Sequence, residues 1–189
     1  MTRLLINIVG FYAGWFACVL GAAREAPWIG PLTVLVLLVV HVRLNPPVKA
    51  ELALAGLSFA LGFIVDSAMT LAGAFSVRLD LLPAGFTSIW MMAMWVNFAM
   101  TLNVALKVLK HHPGYAFLLG AAGGPAAYYT GALLGAVRIS QPLVLNLAVI
   151  GAAWGLVTPL LVLCAGKLRS RFTRKEVLSM KCLNEGGEP

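Results

Sequence analysis

The sequence predicts an all-α membrane protein, with six transmembrane helices packed as one compact bundle, and three observations carry that expectation. Hydrophobic residues make up 60% of the 189-residue chain and charged residues 11%, against roughly 45–50% and about 25% in soluble domains. Apolar runs of spanning length, about 17–25 residues, recur along the chain. Prolines and short polar segments separate them. A surface this apolar excludes a secreted disulfide scaffold, a nucleic-acid module and most soluble enzymes.

The spans fall at about 4–23, 28–44, 51–74, 87–108, 114–137 and 142–166. Pro27, Pro46, Pro47, Pro83, Pro113 and Pro142 lie between them or at their edges, where a missing N–H costs a helix least. The connections are short, so consecutive helices are expected to pack as antiparallel neighbours. The first run starts with a weak charge, Arg3, but it is too long for a signal peptide and carries Gly10, Gly14, Trp15 and Gly21, so it reads as a retained helix. The six spans form one domain, 1–166, followed by a basic tail, 167–189.

Orientation follows from the excess of Lys and Arg on cytoplasmic loops. Arg3, Arg43, Lys49, Lys107, Lys110, Lys167, Arg169, Arg171, Arg174, Lys175 and Lys181 fall on one side, and only Arg24, Arg78 and Arg138 on the other. Both termini are therefore expected in the cytoplasm. The tail holds six basic residues between Lys167 and Lys181 with Glu176 as the one acid among them. Beside a membrane such a cluster is drawn to anionic headgroups, at about 1 kcal/mol per charge; a docking site for a cytoplasmic partner is the alternative. No soluble module accompanies the charge, so nucleic acid is not an expected partner. Cys18, Cys164 and Cys182 have no paired spacing and read as isolated thiols.

Within the spans, the third carries the single deep acid, Asp66, roughly 12 Å below its outer end. An ionisable side chain there costs at least about 2.5–3.5 kcal/mol unless it is answered, so Asp66 must face the bundle. Ala55, Phe59, Gly62, Asp66, Thr70 and Gly73 recur at steps of three and four and form its stripe. The expected partner is the fourth span, where Trp90, Met94, Asn97 and Thr101 share a face and Asn97 lies at a similar depth; Asn103 falls on the opposite face, nearer the cytoplasm. These groups read either as a proton or cation site or as interhelical hydrogen bonds.

The fifth span carries Gly120, Gly123, Gly124, Pro125, Tyr128, Tyr129 and Gly131. Pro125 removes the hydrogen bond to the Ala121 carbonyl and is expected to kink or break the helix, as at many transporter sites. Plain packing through Gly120/Gly124 and Gly131/Gly135 is the alternative. The first span places Asn7, Gly10, Gly14, Ala17 and Gly21 on one face, and the sixth carries Gly151, Gly155 and Pro159. The odd-numbered spans end alike, in Gly21-Ala22, Gly73-Ala74 and Gly135-Ala136, at unequal spacings of 52 and 62 residues, which reads either as the trace of a helix-hairpin repeat or as the commonness of Gly-Ala in membrane helices.

His41, His111 and His112 lie at cytoplasmic helix ends. Nothing in their spacing makes them converge with Glu51, so no metal is expected. Arg24, Arg78 and Arg138 read as residues that snorkel to headgroups. The chain has no HExxH, GxSxG or P-loop motif, and no cofactor or catalytic residue is expected.

Several segments together resemble a known family: Gly14-Trp15-Phe16-Ala17-Cys18, Pro27-Trp28-Ile29-Gly30-Pro31, Glu51, Asp66-Ser67, Trp90 and Trp95, Phe98 to Asn103, and Gly123-Gly124-Pro125-Ala126-Ala127-Tyr128. The chain up to about Cys164 resembles small bacterial inner-membrane proteins grouped as domain of unknown function 2878. The resemblance implies a compact helical bundle without assigned activity, cofactor or catalytic residues, and an accessory role beside enzymes that modify membrane fatty acids. The sequence thus leads to a non-enzymatic protein for transport or lipid handling, with a pocket formed by Asp66, Asn97, Thr101, Asn103, Gly123, Gly124, Pro125 and Tyr128. The second expectation is a scaffold for a membrane-associated lipid-modifying enzyme.

Overall fold

A computed structural model describes the backbone over residues 1–77 and 85–185 and the side chains as far as residue 179. Arg78 and Pro83 lie outside the described residues, as does the side chain of Cys182. Six α-helices fall on the six apolar runs: α1 Thr2–Ala23, α2 Ile29–Leu44, α3 Val48–Leu71, α4 Ile89–Leu102, α5 Pro113–Leu133 and α6 Leu143–Glu185. Three of them, α1, α3 and α6, are long and apolar enough to cross a membrane. The α2 and α4 helices are apolar but shorter, with 16 and 14 residues, or about 24 and 21 Å.

Several boundaries differ from the sequence expectation for identifiable reasons; the fifth helix ends at Leu133, not 137, because Gly135 turns left-handed, with φ +86°. The fourth helix stops at Leu102, not 108: the Thr101 carbonyl accepts from the N–H groups of Val104 and Leu106, and the chain continues as a 3₁₀ turn, Lys107–His111. The third stops at Leu71, not 74, because Gly73 turns left-handed, with φ +74°. The chain then forms a short strand, β1 Phe75–Val77, which pairs antiparallel with β2 Val137–Ile139 beyond α5, Ser76 facing Arg138. The first segment was expected to be loop, and Val137 of the second was expected to end the fifth span. The α6 helix passes without a break through the boundary expected at 166/167 and through Pro159.

The helices form three hairpins side by side. Within each, α1 packs on α2, α3 on α4 and α5 on α6; between them, α1 lies against α4 and α3 against α6. The odd helices close in one way. The Ala26 N–H bonds to the Gly21 carbonyl at 2.8 Å, Ala74 to Met69 at 2.9 Å and Ala136 to Gly131 at 2.9 Å. This is the closure in which the N–H two residues past the cap returns to the last turn. The left-handed residues are Glu25, Gly73 and Gly135. The equivalent of Gly73 in the first hairpin is therefore Glu25, not Gly21, and the 52-residue spacing read from the sequence is out of register; the 62-residue spacing holds. Positions 62 apart also match inside the second and third hairpins: buried Gly62 and Gly124 leave their space to Trp95 and Trp154 respectively.

The central helix is α4, with eleven of its fourteen residues buried among α1, α2, α3 and α6. At the α5–α6 seam, a Cβ on Gly120 would strike the Trp154 carbonyl and one on Gly124 would lie 2.6 Å from the Trp154 ring. Gly151 and Gly155 of α6 in turn receive Ala121, Pro125 and Phe117. Close glycine packing accounts for this pair, whereas Gly123 faces outward, with open space where a Cβ would stand. Gly124→Val is expected to destabilise the protein by about 1–3 kcal/mol through overpacking, and Gly123→Ala to stay within about 0.5 kcal/mol of wild type. Thermal unfolding of the two variants in the same detergent checks this.

Candidate functional site

Asp66 sits five residues before the end of α3, fully buried. Its stripe is Ala55, Ser58, Gly62, Asp66 and Met69, all buried, while Phe59 is 42% exposed; Ser58, not Phe59, continues the inward face. The absence of a side chain at Gly62 lets Trp95 of α4 approach, and the Trp95 indole N–H donates to Asp66 Oδ2 at 2.9 Å. From α5, the Tyr128 hydroxyl donates to Asp66 Oδ1 at 2.6 Å. The two donors answer both carboxylate oxygens and tie three helices together. Hydrogen bonds to an ionised acceptor are short and about twice as strong as neutral ones. No ion pair involving Asp66 occurs among the described residues.

Aromatic rings enclose this centre. Trp154 of α6 stacks on Trp95 with centroids 4.2 Å apart, Phe98 meets Trp154 edge-on at 5.5 Å, and Phe75 of β1 meets Tyr128 edge-on at 5.0 Å. Asp66 and Tyr128 are 62 residues apart, like Gly62 and Gly124, so the centre uses matching positions of adjacent hairpins. The indole N–H of Trp154 is buried beside the Tyr128 hydroxyl.

The structure brings Asp66 and Tyr128 together, with Gly124 close behind them, and separates the remaining sequence candidates. Asn97 is not the partner of Asp66. It lies on the other side of α4, filling the space above Gly14 of α1 and donating to the Phe11 carbonyl at 2.8 Å. Asn7 returns the clasp, donating to the Met100 carbonyl at 2.9 Å. Thr101 bonds back to the Phe98 carbonyl at 2.7 Å. Pro125 does not break α5, which runs continuously from Pro113 to Leu133; the Ala121 carbonyl that it frees is packed against Gly151. A short cleft of about 40 Å³ lies between α1, α2 and α4, with Arg3, Asn7, His41, Asn45 and Asn97 among its walls.

A second polar cluster was missed in the sequence. Glu51, 2% exposed, is met by His41 Nε2 at 3.1 Å, by the Asn103 carboxamide N–H at 2.9 Å and by Arg169 at 3.6 Å. Lys110 donates to Asn103 Oδ1 at 2.6 Å, and Arg169 also donates to the Pro46 carbonyl at 3.3 Å. Partial burial lowers the Lys110 ammonium from its ordinary range, the charge of Arg169 adds to this, and Glu51 opposes it. The cluster joins the ends of α2 and α4, the start of α3 and the far part of α6. A signal was available: Glu51, Asn103, Lys110 and Arg169 all fall at the same end of an alternating bundle. His111 and His112 stay exposed, and the described residues hold no group of three or more metal-ligating side chains. Trp95 too could have been found, since an indole N–H buried among apolar helices needs an acceptor.

These features define a class, an all-helical protein with membrane-like helices and a buried polar centre. Residues 4–160 match the model of DUF2878, a family of proteins of unknown function, and the chain belongs to that family. No curated protein and no solved structure matches it.

Removing either donor leaves a buried carboxylate oxygen unanswered, so Trp95→Phe and Tyr128→Phe are each expected to cost about 1–3 kcal/mol. Their combination with Asp66→Ala in a double-mutant cycle is expected to show coupling of about 0.5–3 kcal/mol, measured by unfolding in detergent.

Proposed function

We propose that this protein is a six-span integral protein of a bacterial inner membrane, with both termini in the cytoplasm, and that it works without enzymatic chemistry as a carrier or lipid-handling protein centred on Asp66. Several features support the membrane reading. The α1, α3 and α6 helices have spanning length, and α2 is tied between α1 and α3 by short connections. His41, Glu51, Asn103, Lys110 and Arg169 meet at one end of the bundle, which is the basic end by residue count. The α2 and α4 helices cross with the help of the turns that flank them.

The observation that carries the functional reading is the Asp66 centre: a fully buried acid answered only by neutral donors from two other helices. A carboxylate without a cation inside a bilayer is costly. A proton, or a cationic or hydrogen-bonding ligand, offsets that cost. Trp95 and Trp154 are stacked at the centre.

The test is ligand-induced thermal stabilisation of the purified protein in detergent, wild type beside Asp66→Asn. The probes are phospholipids, a medium-chain fatty acid and water-soluble vitamins at several pH values. One class is expected to stabilise the wild type and to lose that effect in Asp66→Asn; no response of the wild type to any class overturns the reading. The helical, basic extension of α6 favours a second reading, a scaffold that docks a cytoplasmic or membrane-associated enzyme and touches anionic headgroups over 167–181. It requires the partner to leave the membrane when that extension is deleted.

A further inference from the structure

The polar side chains on the α1 side of α4 have no part in the Asp66 centre. Asn7 and Asn97 each spend their carboxamide N–H on a backbone carbonyl of the facing helix, Met100 and Phe11 respectively. A carbonyl can only accept, so it is the NH₂ end of each amide that faces it, and the oxygen end is turned away. Both oxygens are left without any hydrogen-bond partner, although Asn7 is 9% and Asn97 only 1% exposed. A buried amide oxygen in that condition costs about 1–3 kcal/mol, and the structure carries two of them, one on α1 and one on α4.

The same two side chains line the cleft between α1, α2 and α4. Whatever fills the cleft must be small and must suit a wall that carries Arg3, Asn7, His41, Asn45 and Asn97. Water meets both conditions. A buried water needs about 10–15 Å³ of such space and two to four polar partners; a cleft of about 40 Å³ holds two or three.

We propose that the cleft between α1, α2 and α4 is a water-filled inlet, in which a short file of water molecules runs from Arg3 to the level of Asn7 and Asn97. From Arg3 to the level of Phe11 and Asn97 is eight residues of α1, about 12 Å. The inlet thus brings water well into a hydrocarbon core of about 30 Å. It stops on one face of α4, whose other face holds Trp95 against Asp66. That it opens to the cytoplasm rests on the orientation proposed above; that it holds water does not.

The experiment uses the full-length protein in sealed vesicles of both orientations, with Cys18→Ala, Cys164→Ala and Cys182→Ala as background. A membrane-impermeant, anionic methanethiosulfonate reagent is the probe, because it needs water and a thiolate, and a thiol in apolar surroundings is hardly ionised. Gly10 is suited to the test, since a Cβ there meets only Leu37 at 3.5 Å; its neighbour Val9, 59% exposed on the outer face of α1, is the lipid-facing control. Gly10→Cys is expected to react at least about tenfold faster than Val9→Cys, as a rise of one unit in thiolate ionisation would give, and only with reagent on the side of the termini. Equal, slow reaction at both positions overturns the inlet. Fast reaction of Gly10→Cys only from the opposite side upholds the water and overturns the orientation. Where Gly10→Cys fails to insert, Leu37→Cys on the facing wall decides by the same comparison.

Discussion

The hydrogen bonds to the Asp66 carboxyl are the constraint on which the arrangement of the core depends. An acid among apolar helices must be answered by donors, and the nearest elements supply one each: Trp95 from α4 and Tyr128 from α5. For Trp95 to reach, position 62 has to be glycine, because a Cβ there would lie 2.5 Å from the indole. For Trp154 to stack on Trp95, Gly124 has to leave the same space in the next hairpin. One carboxyl therefore sets the approach of four helices, and substitutions at the two glycines act on the acid without touching it.

The second organising device is repetition. Each odd helix ends in the same left-handed closure, and the second and third hairpins place glycine, a polar group and tryptophan at matching positions. The first hairpin keeps the closure, with Glu25 as the left-handed residue, but presents Asn7 and Gly14 to α4 in place of an acid. The two faces of α4 consequently meet different chemistries. Toward α3 the contacts are aromatic and closed around a carboxyl; toward α1 they are carboxamide clasps with oxygen atoms to spare.

How much of this was legible depended on the length scale of the signal. The helices were readable because each apolar run is long and bounded by proline, and Asp66 stood out because it is the one acid deep in a span. Its partner was misjudged by nearly half a turn of α4: the face that holds Asn97 was legible, but α4 is buried nearly all round, so periodicity could not say which face meets α3. The Glu51 cluster was legible only as a shared end of the bundle. His41, Asn103 and Arg169 come from separate segments, and only tertiary packing brings them to one carboxylate. The β1–β2 pair was hidden because three residues at a glycine turn look like loop until a partner strand is known. Pro125 misled because its cost depends on what covers the freed carbonyl, and that is Gly151, a residue of a different helix.

The unbroken course of α6 gives the molecule a mechanical element. Its 43 residues make a rod of about 64 Å, seated against α3 and α5 as far as Arg169, which is held by Glu51 and by the Pro46 carbonyl. Trp154, whose ring lies on Trp95, stands on the same helix about 22 Å from Arg169, so the polar collar and the aromatic centre share one element.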